Sequence, residues 1–167
     1  PEVLSNDLCS LKPDEDRLAV SAVFTLDNDA NIKDVWFGET VIHSNKRFSY
    51  EEAQQVLDTK EGPMLHELTT LMDMGRNLRK ARYQEGAIAF DQPEVKFELD
   101  ATGKPIRVFA KVRTETMLMI EDFMLLANKH VAEFVYNHTK KQGRDAAFVY
   151  RIHDVPDPEK IEELSIF

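Results

Sequence analysis

The sequence predicts an α+β fold, in which antiparallel β-hairpins pack with one long helix and several shorter helices. Three observations lead to this class. Two pairs of β-rich runs are each joined by a short cluster of turn-forming residues. Capped helical segments lie between the two pairs. One long helical segment, apolar on almost every side, follows the second pair.

Both hairpins are predicted from apolar alternation on either side of a turn. Residues 17–26 alternate with a period of two, and residues 32–43 form a second β-rich run after the turn cluster DNDAN. Residues 95–99 and 106–112 repeat this arrangement around the turn DATG. A short fifth strand is predicted at residues 148–152, with the sequence FVYRI.

Two helix starts are marked by capping residues. Ser49 and Glu52 have the spacing of a capping box, which predicts a helix that runs to about Leu57. Asp157 is predicted to cap the last helix, with Pro158 at its first position.

A further helix is predicted after the Gly-Pro break at residues 62–63, and it should end near Gly86. Its last turns contain four cations: Arg76, Arg79, Lys80 and Arg82. Because cations at a helix C-terminus interact favourably with the helix dipole, the cluster is interpreted as nothing more than that.

The longest helix is predicted to begin at a cap, Thr114 or Thr116, and to run to about Asn137. Because it is apolar almost all round, we expect it to be buried. Glu121 and Asn128 fall in the middle of one face, whose apolar members are Met117, Leu118, Met124, Leu125, Val131, Ala132 and Val135. Two interpretations of Glu121 stay open on this pattern. It is either a buried structural acid with a paired cation, or a carboxylate that lines a ligand cleft with Asn128.

Composition indicates a single globular domain in a reducing compartment. The chain of 167 residues has one cysteine, Cys9, which excludes an internal disulfide and a cysteine-based metal cluster. It contains no long apolar run and no signal-peptide pattern, so we expect no membrane partner and a cytoplasmic location. The net charge of −9 argues against a free-standing nucleic-acid binder, which usually carries a basic surface.

Other candidate residues each have a structural alternative. Tyr50 is expected at the first helical position, where it either packs at the helix end or meets a ligand with its ring and hydroxyl. Phe90 is either a core residue, which is the favoured interpretation, or a stacking platform. His43 has no second ligand at metal-binding spacing, and the acidic triplet at 14–16 is interpreted as a solvated turn.

Five segments of the chain occur in the order found in one enzyme family. They are LSNDLCSLKPDEDRLA, VIHSNKRFSYEEA, GAIAF, IEDFMLLAN and YRIHDVPDPEKIEEL. With them, the whole of residues 1–167 resembles part of the catalytic RNB domain of ribonuclease II and ribonuclease R, and it resembles bacterial ribonuclease R most. The resemblance implies a processive, Mg²⁺-dependent exoribonuclease that degrades RNA from its 3′ end and releases nucleoside 5′-monophosphates.

The resemblance assigns RNA-binding roles to three residues. Phe90 in GAIAF corresponds to the family phenylalanine that stacks on a base near the RNA 3′ end, a contact that tolerates any base. Glu121 in IEDFMLLAN corresponds to the glutamate at the terminal nucleotide, and Tyr50 in FSYEEA to the tyrosine that helps it to select RNA over DNA. A carboxylate can accept a hydrogen bond from the 2′-hydroxyl, by which RNA differs from DNA. The resemblance therefore favours the functional interpretation of Glu121 and assigns no role to Asn128.

Other parts of the family's machinery are expected to lie outside this chain. The family's metal-binding aspartates are upstream of the matching region, its catalytic arginine is downstream, and cold-shock-like and S1 RNA-binding domains flank it. We therefore predict no catalytic residue and no metal ligand within the chain, although Mg²⁺ is implied for the whole enzyme. The chain alone is expected to be inactive. Together with the rest of the enzyme, it should form a channel wall that grips a single-stranded RNA 3′ end.

Two other functions stay open. A non-catalytic RNA-binding or regulatory module could have kept the RNB fold without its metal site. A metal-free hydrolase with Glu121 as general acid or base is disfavoured, because no nucleophile partner is apparent. Faces that the remaining parts of the domain should cover could also make copies of this chain associate, as an artefact of truncation.

Overall fold

The computed structural model describes residues 2–88, 95–110, 112–143, 148–152 and 154–166. Contacts divide the chain into two compact units, Pro1–Lys129 and His130–Phe167. In chain order the elements are a π-helix (Leu4–Leu8), β1 (Asp16–Leu26), β2 (Ile32–His43), α1 (Tyr50–Thr59), α2 (Leu65–Gln84), β3 (Val95–Leu99), β4 (Pro105–Ala110), α3 (Glu115–Gln142) and α4 (Pro158–Ser165). The predicted α+β class is confirmed.

Strands β1 and β2 form a long antiparallel hairpin, as predicted. Arg17 pairs with Ile42, and Ser21 pairs with Gly38. The apolar alternation of β1 does not lead to uniform burial, because Leu18 is 86% exposed. Period-two alternation therefore predicts the strand correctly here, but not which of its residues are covered.

The two hairpins turn in the same way. In each turn an aspartate, Asp27 or Asp100, accepts hydrogen bonds from the main-chain N–H groups two and four residues further on. The residue three positions on has a positive φ, 65° at Ala30 and 84° at Gly103. The side chains of Lys33 and Asn31 hold the pKa of Asp27 below its ordinary value. These hydrogen bonds favour the ionised carboxylate, so both turns are stabilised at neutral pH.

Helix α1 begins as the capping box predicts. Ser49 is the N-cap, its hydroxyl accepts from the Glu52 main-chain N–H at 3.1 Å, and the Glu52 carboxylate accepts from the Ser49 N–H at 2.7 Å. Tyr50 therefore occupies the first helical position. The last helix is also capped as predicted, with Asp157 before α4.

The core of the first unit lies where α1, α2 and the start of α3 meet. Its buried members are Ala53, Val56, Leu57, Leu68, Met72 and Met119. Helices α2 and α3 lie close together at Gly75, because a Cβ built there would be in ordinary van der Waals contact with Met119 Cα, at 3.5 Å. The helices that carry the candidate residues are thus held together by a common apolar cluster.

Two local predictions differ from the structure. Residues 148–152 are not a strand, and the described strands pair only as β1 with β2 and β3 with β4. Helix α3 continues to Gln142 instead of ending near Asn137. No helix in the described ranges is long and apolar enough to cross a membrane.

The second unit consists of the C-terminal part of α3, residues 148–152 and α4. In α3 the rings of Phe134 and His138 stack at 5.7 Å, one turn apart. The rings of Phe148 and Tyr150 meet edge to face at 4.9 Å. No residue of α4 is buried. The ring contacts described in this unit therefore join residues only four and two positions apart, whereas the first unit has a buried core that joins three helices.

Candidate functional site

Glu121 lies on an open side of α3, and the prediction that its helix face forms the core is wrong. The buried residues near the start of α3 are Thr116, Met119 and Asp122, which point to other sides of the helix. On the side of Glu121, Met124 and Leu125 are exposed. We call this surface, formed by Glu121, Met124, Leu125 and the exposed Asn128, the open strip.

The Glu121 carboxylate is paired with the guanidinium of Arg113, the second residue before α3 begins. Both side chains are a little under half exposed, at 45% and 44% respectively. Glu121 is therefore neither sealed in the core nor free of a counter-charge. Its carboxylate can be reached from solvent on a surface that is otherwise largely apolar.

The buried acid of α3 is the next residue, Asp122, whose side chain is 1% exposed. Arg79 donates to its Oδ2 from Nε at 3.0 Å and from a terminal nitrogen at 2.9 Å, and Arg82 donates to Oδ1. Burial lowers the pKa of Arg79, but the hydrogen bonds and the charge of Asp122 more than offset it, so the pKa is raised overall. The arginines of α2 are thus more than complements to a helix dipole, which corrects that interpretation.

A second carboxylate extends this network toward the start of α3. Glu115 lies 3.4 Å from Arg76 Nε and 3.6 Å from a terminal nitrogen of Arg79. The network therefore fixes α3 against α2 over two helical turns. Because Asp122 follows Glu121 directly, the same contacts determine where the open strip lies.

Tyr50 lines a cleft of about 430 Å³ beside the first turns of α1 and α3. The other lining residues are Arg47, Phe48, Ser49, Glu51, Ala53, Leu68, Leu71, Thr116, Met119 and Ile120. Small-molecule sites in proteins span about 300–1,000 Å³, and they are mostly apolar with a few polar groups. The cleft therefore has the size and the lining of a site for a small ligand, and Tyr50 is 43% exposed there.

A buried threonine ties Tyr50 to α3. Thr116 Oγ1 donates to the Tyr50 main-chain carbonyl at 3.2 Å, and the Thr116 N–H donates to Gln54 Oε1 at 3.2 Å. Thr114 Oγ1 forms a hydrogen bond with Thr116 Oγ1 at 2.9 Å, and accepts from the Met117 N–H at 3.4 Å. Of the two predicted caps, Thr114 therefore serves α3, and Thr116 fastens it to α1.

The structure brings the three predicted RNA-binding residues together only in part. Tyr50 lies in the cleft, whereas Glu121 is not among the cleft residues and lies on the open strip. Ile120, which precedes Glu121, does line the cleft, so the two surfaces adjoin along α3. Phe90 lies outside the described residues.

The described residues do not fit a site for a divalent metal. Within these ranges, no three His, Cys, Asp or Glu side chains are placed so that they could hold an ion. The acidic triplet at 14–16 is exposed, and Asp16 Oδ1 lies 2.8 Å from His43 Nδ1. His43 is thus a hydrogen-bonded surface histidine.

Comparison with known proteins identifies the family. The RNB domain matches residues 1–167. The chain belongs to the RNB family. It is 37% identical to the human exosome complex exonuclease RRP44, over 98% of this chain and 17% of that protein. The fold agrees with RNase R of Mycoplasma genitalium in complex with ribose-methylated single-stranded RNA, with a TM-score of 0.88 and 29% identity over 98% of this chain and 25% of that one.

A third similar protein is described as a pseudonuclease. This protein, yeast Ssd1, matches with a TM-score of 0.60 and 25% identity, over 82% of this chain and 17% of that one. The chain therefore spans about a quarter or less of the length of these three proteins.

Sequence reasoning missed Arg113 and Asp122. Arg113 precedes its helix, so its contact with Glu121 has no helical spacing that a pattern could reveal. A signal for Asp122 did exist, because Arg79 and Arg82 are three residues apart and so share one side of α2. Two arginines on one side of a packed helix indicate a carboxylate on the neighbouring element.

Proposed function

We propose that this chain forms part of the RNA-holding wall of a 3′ to 5′ exoribonuclease that releases nucleoside 5′-monophosphates. The observation that carries the proposal is the accessible Glu121 carboxylate, which lies on the open strip of an RNB chain. Membership in a family that contains RRP44 and RNase R supports exonuclease chemistry. The RNase R relative in complex with single-stranded RNA supports RNA as the ligand.

In this proposal Glu121 accepts a hydrogen bond from the 2′-hydroxyl of a nucleotide near the 3′ end. Tyr50 contributes its ring and hydroxyl from the adjoining cleft. Phe90 is proposed to stack on a base, on the strength of its family motif alone. Each contact is independent of base identity, as a degrader of general RNA requires.

Phosphodiester cleavage in this family implies a divalent metal, proposed here to be Mg²⁺, which would activate water and stabilise the leaving oxygen. Since the described residues do not fit such a site, the role proposed for this chain is to hold and select RNA, and the isolated chain is expected to be inactive. Cleavage would depend on other parts of the complete protein.

The proposal is tested by comparing two labelled single-stranded oligonucleotides that differ only in whether the terminal nucleotides are ribose or deoxyribose. Fluorescence anisotropy gives the Kd of the chain for each. A hydrogen bond to a charged acceptor contributes about 1.5–3 kcal/mol, so we expect the ribose end to bind at least about tenfold more tightly.

Glu121→Ala, which removes the acceptor altogether, should lose most of this preference. The matched control is Glu98→Ala, which removes a carboxylate at an exposed position of β3 and should keep the preference. Equal affinity of the unsubstituted chain for both oligonucleotides would contradict the proposal.

A second candidate function is that of a non-catalytic RNA-binding or regulatory module. The match to Ssd1 supports it, because that protein has a similar fold and is described as a pseudonuclease. An assay of the complete protein with Mg²⁺ and 3′-labelled single-stranded RNA separates the two. Release of nucleotides supports the exonuclease, and binding without release supports the module.

A further inference from the structure

The ion pair between Arg113 and Glu121 differs in kind from the network around Asp122. The arginines at Asp122 neutralise a carboxylate that water cannot reach. Arg113 and Glu121 are both accessible, so neither needs the other to compensate for burial. Exposed ion pairs contribute little to folding, and a ligand can therefore replace one partner at low cost.

Arg113 also connects the two candidate surfaces. Its neighbour Thr114 is hydrogen-bonded to Thr116, which in turn donates to the Tyr50 carbonyl. The main chain at Arg113 is therefore held near Tyr50, while its guanidinium reaches Glu121. Tyr50 and Glu121 are the two described residues proposed to meet the RNA end; Arg113 contacts Glu121 directly, and it is linked to Tyr50 through Thr114 and Thr116.

A carboxylate that recognises a ribose 2′-hydroxyl creates an electrostatic problem. Each internucleotide ribose adjoins a phosphodiester, whose negative charge the carboxylate repels over a distance of several ångströms. The chain itself has a net charge of −9, which adds to this repulsion. A cation beside the carboxylate would offset it, and Arg113 is the cation in contact with Glu121.

Guanidinium has the appropriate chemistry for this role. It carries five N–H donors in a planar fork, so one edge can hold a carboxylate while other donors bind a phosphate oxygen. A 2′-hydroxyl donates and the neighbouring phosphate accepts. The Arg113–Glu121 pair offers the complementary acceptor and donor side by side.

We propose that Arg113 is an RNA-binding residue whose guanidinium contacts the phosphodiester next to the ribose that Glu121 recognises, an assignment that rests on the proposed function. Arg113 and Glu121 then act as one unit, in which the carboxylate selects ribose and the guanidinium holds the adjoining phosphate. A ligand that lacks the 2′-hydroxyl loses the contact with Glu121, and a ligand that lacks the phosphate charge loses the contact with Arg113.

The test removes the charge on one side of the contact at a time, either the negative charge of the phosphodiester or the positive charge of Arg113. Three single-stranded oligonucleotides of one sequence are compared: RNA, RNA with a neutral methylphosphonate at the last linkage, and RNA with a 2′-deoxy terminal pair. Each is titrated by anisotropy against the unsubstituted chain, Arg113→Gln and Arg113→Lys. The matched control is Arg107→Gln, which removes an exposed arginine from β4.

For the unsubstituted chain we expect the methylphosphonate to weaken binding about tenfold. Arg113→Gln should weaken binding of normal RNA by a similar factor and should be insensitive to the methylphosphonate, because the two changes remove the same interaction. Arg113→Lys should fall in between, since it keeps the charge but loses the fork. Arg107→Gln should behave like the unsubstituted chain.

Equal sensitivity of Arg113→Gln and the unsubstituted chain to the methylphosphonate would overturn the assignment. Arg113→Lys serves as the second variant if the thermal midpoint of Arg113→Gln shows impaired folding. If the unsubstituted chain itself fails to distinguish ribose from deoxyribose ends, the proposed function fails and the assignment fails with it. If it distinguishes them and the Arg113 variants have no effect, only the assignment fails.

Discussion

Replacing Asp122 with asparagine should destabilise the first unit strongly, because it removes the charge that two arginines of α2 share. The carboxylate accepts two hydrogen bonds from Arg79 and one from Arg82 while its side chain is 1% exposed. Removing one member of a buried ion pair costs about 3–5 kcal/mol. Arg79 and Arg82 are 16% and 33% exposed, so water can partly solvate them in the variant. We therefore expect the lower end of that range, about 3 kcal/mol.

Urea unfolding followed by circular dichroism at 222 nm measures this loss directly, because the network joins helices. The matched control is Asp73→Asn, which also removes a carboxylate near an arginine of α2, at 3.8 Å from Arg76. Asp73 is exposed, so its replacement should change the free energy of unfolding by about 0.5 kcal/mol or less. Equal effects of the two substitutions would refute the view that Asp122 fastens α3 to α2.

Three further predictions concern a helix cap, a turn and a contact between helices. The N–H of Ser49 holds the pKa of Glu52 below its ordinary value. The ionised Glu52 carboxylate therefore stabilises the folded chain at neutral pH, and this stabilisation is lost as the pH falls below about 4.3. The thermal midpoint should therefore drop more in acid for the unsubstituted chain than for Glu52→Gln, and parallel pH profiles would contradict this. Gly103→Ala should lower the free energy of unfolding in urea by about 1 kcal/mol, because alanine is strained at the φ of 84° found there. The loss should come from the backbone alone, since a Cβ would meet no neighbour within 4 Å. An unchanged urea midpoint would contradict this prediction. At Gly75 a Cβ would lie 3.6 Å from Asp122 Oδ2, which is an ordinary contact, so Gly75→Ala should be tolerated. Gly75→Leu should lower the free energy of unfolding by about 3 kcal/mol, because the larger side chain would separate the helices. Equal stability of the two variants would contradict this prediction.

Local structure was predictable wherever its cause lies within a few residues of sequence. The capping box of Ser49 and Glu52 joins groups three residues apart, and the structure contains both of its hydrogen bonds. The turn that begins at Asp100 likewise closes through contacts within four residues. Signals of this kind need no information about the rest of the fold.

The buried side of α3 was not predictable from its own sequence. The helix is apolar almost all round, so periodicity could not identify which side packs. The packed side is determined by α2, which lies close to α3 at Gly75 and provides a counter-charge through Arg79. Glu121 and Asp122 are about 100° apart around the helix, and this partner determines which of them is buried.

The strand predicted at residues 148–152 shows the same limit. Its composition is rich in β-formers, but a strand needs a neighbour that accepts and donates main-chain hydrogen bonds. In the described structure the aromatic rings of Phe148 and Tyr150 contact each other instead. Composition alone cannot provide the missing partner.

A heteronuclear NMR titration of the chain with a short ribo-oligonucleotide tests most directly where the chain binds RNA. If this surface grips an RNA 3′ end, shifts should concentrate at Tyr50, Arg113 and Glu121, and they should shrink when the terminal nucleotides are deoxyribose. The turn at Asp27 provides an internal reference that should stay unchanged. Shifts that avoid these three residues, or that are the same for both oligonucleotides, would contradict the account.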